Sequence, residues 1–229
     1  MDSFEKFLAK FIRRKDRELT DEEYESLDYI QTLIVARINA SDESCVIRGQ
    51  AAEMLSGVGD WSDRHRLRTL LADPEWPVRS DATRAVRQIF GRRAKRTLLK
   101  MLEDSERVVR REAAGELGFF GDTSVIPILE AKLETEQTNQ ARGGLFFALI
   151  RLGRREYWPQ FLALHSITYE AANCVMWRFL PDLLNHEPLS NQEKLALRET
   201  IANARTLGYA EDDLLKDVDE AERLLEQTA

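Results

Sequence analysis

Ten basic residues and three acidic ones lie between Arg84 and Arg111, the densest stretch being Arg92-Arg93-Ala94-Lys95-Arg96 with Lys100 beyond it. Guanidinium and ammonium groups at this density hold anions, whether carboxylates of an acidic protein or phosphates of a nucleic acid. If the segment is helical, residues 92, 96 and 100 share one face with 93 beside them, because positions four apart stack. Cations at a helix start oppose the macrodipole, so their retention there favours use on a partner. The competing use is a solvated face balanced by Glu103, Asp104 and Glu106. Trp61 and Trp158 fall near the starts of leucine-bearing segments, where they either anchor a partner or plug gaps in a core. The predicted contact set is therefore Arg92, Arg93, Arg96, Lys100, Trp61 and Trp158.

Signals for catalysis are lacking. The chain has no nucleophile elbow and no glycine loop of the Walker or dinucleotide type. Cys45 and Cys174 are far apart in sequence, and His65, His165 and His186 show no metal-ligand spacing with them. The expectation is a non-enzymatic chain without metal or cofactor, its cysteines reduced as in a cytosolic protein. No apolar run reaches the roughly 20 residues needed to cross a bilayer. The N-terminal residues carry charge throughout and do not read as a secretory signal. The net charge of −7 hides a gradient: about −3 over residues 1–42, about +3 over 43–166 and about −7 over 167–229. An acidic total argues against general nucleic-acid binding, and the basic centre keeps a specific anionic partner in play.

The elements that must position these residues come from a repeat. The phrases Val46-Ile47-Arg48, Pro77-Val78-Arg79, Val108-Val109-Arg110 and Gln140-Ala141-Arg142 recur about 31 residues apart, each followed by small residues. A fixed period in this range is the signature of a solenoid. Each unit reads as two helices. The first carries the Val-Arg phrase and ends at a glycine (Gly57 or Gly59, Gly91, Gly121, Gly153), which supplies the left-handed cap. The second carries leucines and ends in an acidic turn at Asp73, Asp104 or Glu134. An arginine fork suits a carboxylate, so Arg48 and Arg79 are expected to tie repeats together through Asp73 and Asp104.

The pattern Asp-x-x-x-x-Val-Arg-x-x-Ala-x-x-x-Leu-Gly, in Asp73–Arg87 and again in Asp104–Gly118, resembles the HEAT-like repeats of the phycobilisome-lyase type. The likeness is good over residues 43–136 and fades beyond 166. It implies an all-α, right-handed α-α superhelix with the second helices lining the concave side. Because such repeats also serve scaffolds, bilin lyase subunits and alkylpurine DNA glycosylases, the resemblance leaves those last two as alternatives.

The ends read as capping units around the repeats of 43–166. In 1–42, Phe4, Phe7, Leu8, Phe11 and Ile12 share a helical face that suits a solenoid cap better than a membrane surface, and Thr20-x-x-Glu23 is a capping box opening one helix through Ile38. In 167–229, Tyr169 to Leu180 reads as a degenerate first helix stopped by Pro181. Ser190-x-x-Glu193 opens another, and an acidic helix through Leu214 and Leu225 closes the array, for about thirteen helices in one continuous domain. The functional expectation is a protein partner held on the concave face, with an inhibitor or immunity role as its sharper form.

Overall fold

The computed structural model describes residues 19–164, 172–186, 188–206 and 212–227. The expected Phe4–Ile12 helix lies outside these residues, as do the side chains of Cys174 and Trp177. The described residues form thirteen α-helices and no strand. They fall into two compact units that part between Glu116 and Leu117. No helix among them is long and apolar enough to cross a membrane.

The first unit opens with α1 (Asp21–Glu25) and α2 (Tyr29–Asn39). Then come α3 (Cys45–Val58), α4 (Arg64–Leu70), α5 (Trp76–Phe90), α6 (Lys95–Met101) and α7 (Arg107–Gly118), the last running past the boundary. The predicted single helix from Thr20 to Ile38 is two. The Thr20 box forms, its hydroxyl accepting from the Glu23 N–H, but Asp28 and Gln31 form a second box three residues before the chain could continue. Two start signals so close together cannot serve one helix.

Arg48 donates through Nε and Nη2 to both oxygens of Asp73 at 2.7 and 2.9 Å, and Arg79 does the same to Asp104 at 2.8 Å twice. The remaining Nη1 of each arginine reaches the carbonyls before its own helix, those of Asp42 and Glu43 for Arg48 and of Asp73 and Pro74 for Arg79. Each linking aspartate thus receives one arginine on its carboxylate and the next on its carbonyl. Burial pushes the carboxyls of Asp73 and Asp104 up, but the arginine bonds outweigh it and both end below the ordinary carboxylate range. The Val-Arg helices α3 and α5 lie in close backbone contact, whereas α4 and α6 stand apart across an open cleft. In this unit the tighter row is that of the Val-Arg helices, not the leucine helices expected to line the inside. The physical reason is composition: Ala51, Ala52, Ala82 and Ala85 are all buried and let backbones approach.

Glycines stand at or just beyond the ends of the Val-Arg helices, Gly121 three residues past the end of α7, and the expected left-handed cap is not shared by all: Gly59 is extended and Gly91 has ψ −134°. Gly91, Gly121 and Gly153 have φ of 52°, 64° and 93°. Gly59 is extended at −71°, and its need is for space: a Cβ there would lie 2.6 Å from the Leu55 carbonyl oxygen.

The second unit holds α8 (Ile126–Thr135), α9 (Asn139–Arg151), α10 (Trp158–Ala163), α11 (Ala172–His186), α12 (Asn191–Thr206) and α13 (Asp212–Gln227). Its centre is α9, where Gly143 through Ile150 are all buried. Phe147 stacks on Phe179 at 4.3 Å between ring centroids, and Gly118 meets Ala148 so closely that a Cβ would fall 2.7 Å from the alanine Cα. Pro181 does not stop α11. The helix runs on to His186, held by burial of Phe179, Leu180, Leu183 and Leu184, which offsets the roughly 3 kcal/mol that an interior proline costs. The Ser190–Glu193 box forms as read, and Glu193 also takes Arg155 through both oxygens at 2.9 and 2.7 Å.

Candidate functional site

Three of the six predicted contact residues sit on two short turns, and two of them, Trp61 and Arg93, meet. Asp60 caps the 3-10 turn Trp61–Asp63, its carboxylate accepting from the Ser62 N–H at 2.7 Å. Asp63, fully buried, is clamped by Arg37 at 2.8 and 2.9 Å, so the turn is fixed to α2. Burial raises the Asp63 carboxyl, and Arg37, the Asp60 N–H and Arg66 together more than reverse the shift. This anchorage presents Trp61 outward, 47% exposed. On its other flank, α5 ends at Gly91 and the chain turns through Gly91–Ala94 before α6 begins. The result is a layered contact: Phe90 lies 4.9 Å from the Trp61 ring, and the Arg93 guanidinium sits 4.7 Å over it. A cation over tryptophan at an exposed site contributes about 0.5–1 kcal/mol, enough to hold the pair in register without burying it.

Arg92 and Arg93 belong to this 3-10 turn rather than to α6, so the predicted 92/96/100 stripe is one turn shorter than read, and Arg96 and Lys100 carry it on α6. All four cations are exposed. Trp158 is not among them. It is 2% exposed, 6.1 Å from Phe161 in the core of the second unit, and its indole N–H meets no acceptor among the described residues. It opens α10, three residues before buried Phe161, and so extends the apolar stripe inward.

Beside Trp61, between α4 and α6, lies a cleft of about 440 Å³. Leu67, Val86, Phe90 and Met101 floor it, Arg64, His65, Arg68 and Lys100 line it, and no carboxylate among the described residues does. Sequence reasoning missed Arg64 and Arg68 because they share a helix with the core leucines. Their four-residue spacing was the available signal.

The pairing of charges sets this surface apart. Over the same stretch Arg37, Arg48, Arg66, Arg79, Arg84 and Arg87 all hold carboxylates. Arg64, Arg68, Arg92, Arg93, Arg96 and Lys100 hold none among the described residues. The Val-Arg helices carry the opposite arrangement: Asp81 with Arg84, Glu112 with Arg111 and Glu116 with Arg87, all six half-buried or buried. Burial lifts the Glu116 carboxyl to about 7, Arg87 opposing and Glu112 reinforcing the rise. Sequence reading did not single out this network, since charged residues on a helix are by default solvated.

Among the described residues, no three His, Cys, Asp or Glu side chains cluster as metal ligands. Residues 66–150 match the family model described as HEAT repeats, which contains both segments that carried the resemblance. No curated protein sequence is significantly similar to the chain. Among solved structures it is similar to the complex of CpcE and CpcF of phycocyanin lyase from Nostoc sp. PCC7120. That likeness has 15% identity over 94% of this chain and 98% of that chain, with a TM-score of 0.55. At this identity the likeness is one of fold: an all-α array of HEAT-like repeats.

Proposed function

We propose that the chain is a binding module that holds an acidic protein partner on the leucine-helix side of its first unit. Trp61 is the anchor, Arg93 is stacked on it, Arg92 precedes Arg93 in the same turn, and Arg96 and Lys100 follow on α6. The observation that carries the reading is selective pairing: among the described residues, six arginines are satisfied by the chain's own carboxylates and six neighbouring cations are left exposed and unpaired. Tryptophan and arginine at one exposed point are the residue types that dominate binding energy, and unpaired charge steers association. The solved neighbour, one of two chains in a complex, supports a partner protein by analogy of fold. Capture of one acidic protein is the form that an inhibitor or immunity role would take on this surface.

The test is recovery of partners from native cell extract on the tagged full chain, quantified by mass spectrometry beside an Arg93→Glu/Arg96→Glu/Lys100→Glu variant. A stoichiometric acidic protein held by the wild type and lost from the variant is expected. Equal recovery by both, or salt-sensitive nucleic acid in place of protein, would overturn the reading.

A further inference from the structure

Resting on that reading, we propose that the cleft between α4 and α6 takes one acidic amphipathic helix of the partner. Its apolar row lies over Phe90 and Met101, and its carboxylates meet Arg64 and Arg68 on one side and, on the other, Lys100 and then Arg96 one turn before it on α6. Three features select this occupant. The first is charge: three cations line the cleft and no carboxylate among the described residues does. The second is the floor, which is apolar and offers nothing to a phosphate backbone, whereas a helix with one apolar face fills it. The third is spacing. Arg64 and Arg68 are one helical turn apart on α4, as are Arg96 and Lys100 on α6. A guest helix with carboxylates at i and i+4 repeats at the same pitch, so both pairs are met without stretching either helix.

The described residues of a second copy of this chain do not supply the guest. Its acidic helix α13 buries Val218, Ala221, Leu224 and Leu225 in its own unit, and Arg205 and Arg223 already hold Asp219, Glu220 and Glu222.

The probe is a labelled synthetic 16-residue peptide with leucines at i, i+3, i+4 and i+7 and flanking glutamates. Its binding to the full chain is read by fluorescence anisotropy beside a scrambled isomer of the same composition. The amphipathic isomer is expected to bind at least tenfold more tightly, and Ala72→Trp, which fills the cleft, is expected to abolish that advantage. Arg64→Glu/Arg68→Glu should weaken the amphipathic isomer at least tenfold and flatten its salt dependence. Carbon-13 labelling of the methionine methyls gives a readout without substitution: Met101, in the cleft, shifts on binding, and buried Met54 does not. Equal binding of the two isomers, or a Met101 methyl that stays put, overturns the cleft assignment. That result leaves standing a partner held by charge at Arg93, Arg96 and Lys100, which the recovery experiment tests separately. Duplex DNA that displaces the peptide and moves the Met101 signal itself overturns both.

Discussion

Replacing Glu116 by glutamine tests whether the Val-Arg helices bury charge on their shared face. Glu116 is 6% exposed, beside Arg87 of α5 and one turn from Glu112, with Arg84 also acting on it. Burial raises its carboxyl from an ordinary value of 4.5 to about 7, even with Arg87 opposing. A tenfold change in proton affinity corresponds to about 1.36 kcal/mol, so the ionised form weakens the fold by about 3 kcal/mol relative to the neutral one. The sign follows from a folded value above the unfolded value. The group's stabilisation is complete below about pH 4.5 and is lost as pH rises through about 7. Glutamine keeps the shape and an acceptor for Arg87 but cannot ionise.

Glu116→Gln should therefore match the wild type near pH 4.5 and exceed it by about 3 kcal/mol at pH 8. Urea unfolding followed by far-UV circular dichroism at four pH values measures the difference. The titrations of Asp63, Asp73, Asp81 and Asp104 are common to both proteins and cancel. A difference that does not vary with pH, or a variant less stable than wild type at pH 8, would refute the reasoning. It would mean that Arg87 fully compensates the buried carboxylate.

Three further outcomes follow from the packing. Asp104→Asn leaves the half-buried Arg79 fork without its carboxylate and should cost about 3 kcal/mol in urea unfolding. Because Asp73 and Asp104 are held below the ordinary range, their contribution is complete above about pH 4 and is lost as pH falls further, so an acid-unfolding midpoint should rise in that variant. Gly91→Ala adds a Cβ in open space but at φ 52°, ψ −134°, a backbone conformation only glycine adopts with ease, and should cost the conformational term of about 1–3 kcal/mol, whereas Gly118→Ala drives a Cβ into the Ala148 backbone and should cost about 2 kcal/mol or more, both read as shifts in melting temperature. Trp61→Ala should change stability by no more than about 1 kcal/mol while weakening partner capture at least tenfold, since an exposed ring contributes little to the fold and much to an interface.

The array and its ties were legible because they rest on short-range chemistry. The offset from Arg48 to Asp73 and from Arg79 to Asp104 is the same, and a fork-to-carboxylate bond needs only that offset and the helix period. Boundaries were less legible. The second capping box, Asp28 with Gln31, is a local four-residue signal that the first box overshadowed, whereas the passage of α11 through Pro181 depends on what the neighbouring helices bury. The two tryptophans show the same limit at the candidate site. Trp61 precedes its helix by three residues in a turn clamped by Arg37, and Trp158 begins its helix outright. A register difference of one turn separates an exposed anchor from a core residue, and composition does not record it.

The unpaired cations give the strongest link from this packing to binding. A sequence that places carboxylates 25 residues after Arg48 and Arg79, and beside Arg84 and Arg87, is able to neutralise arginines wherever the fold brings an acid near. On the leucine-helix side it does not. Among the described residues, Arg64, Arg68, Arg92, Arg93, Arg96 and Lys100 stand together without an acid, at some cost in mutual repulsion. The same residues flank an exposed tryptophan and an apolar cleft, the two features that a guest side chain needs. Repulsion that the free chain carries is relieved when a partner brings carboxylates, so the charges weigh against the empty surface and for the occupied one. Neutralising them from within, by Thr97→Glu on the lining of the cleft, should therefore raise the melting temperature of the free chain while weakening its hold on an acidic partner. Opposite movement of these two quantities is the signature of a surface built for binding, and movement in the same direction would mark the cluster as part of the fold.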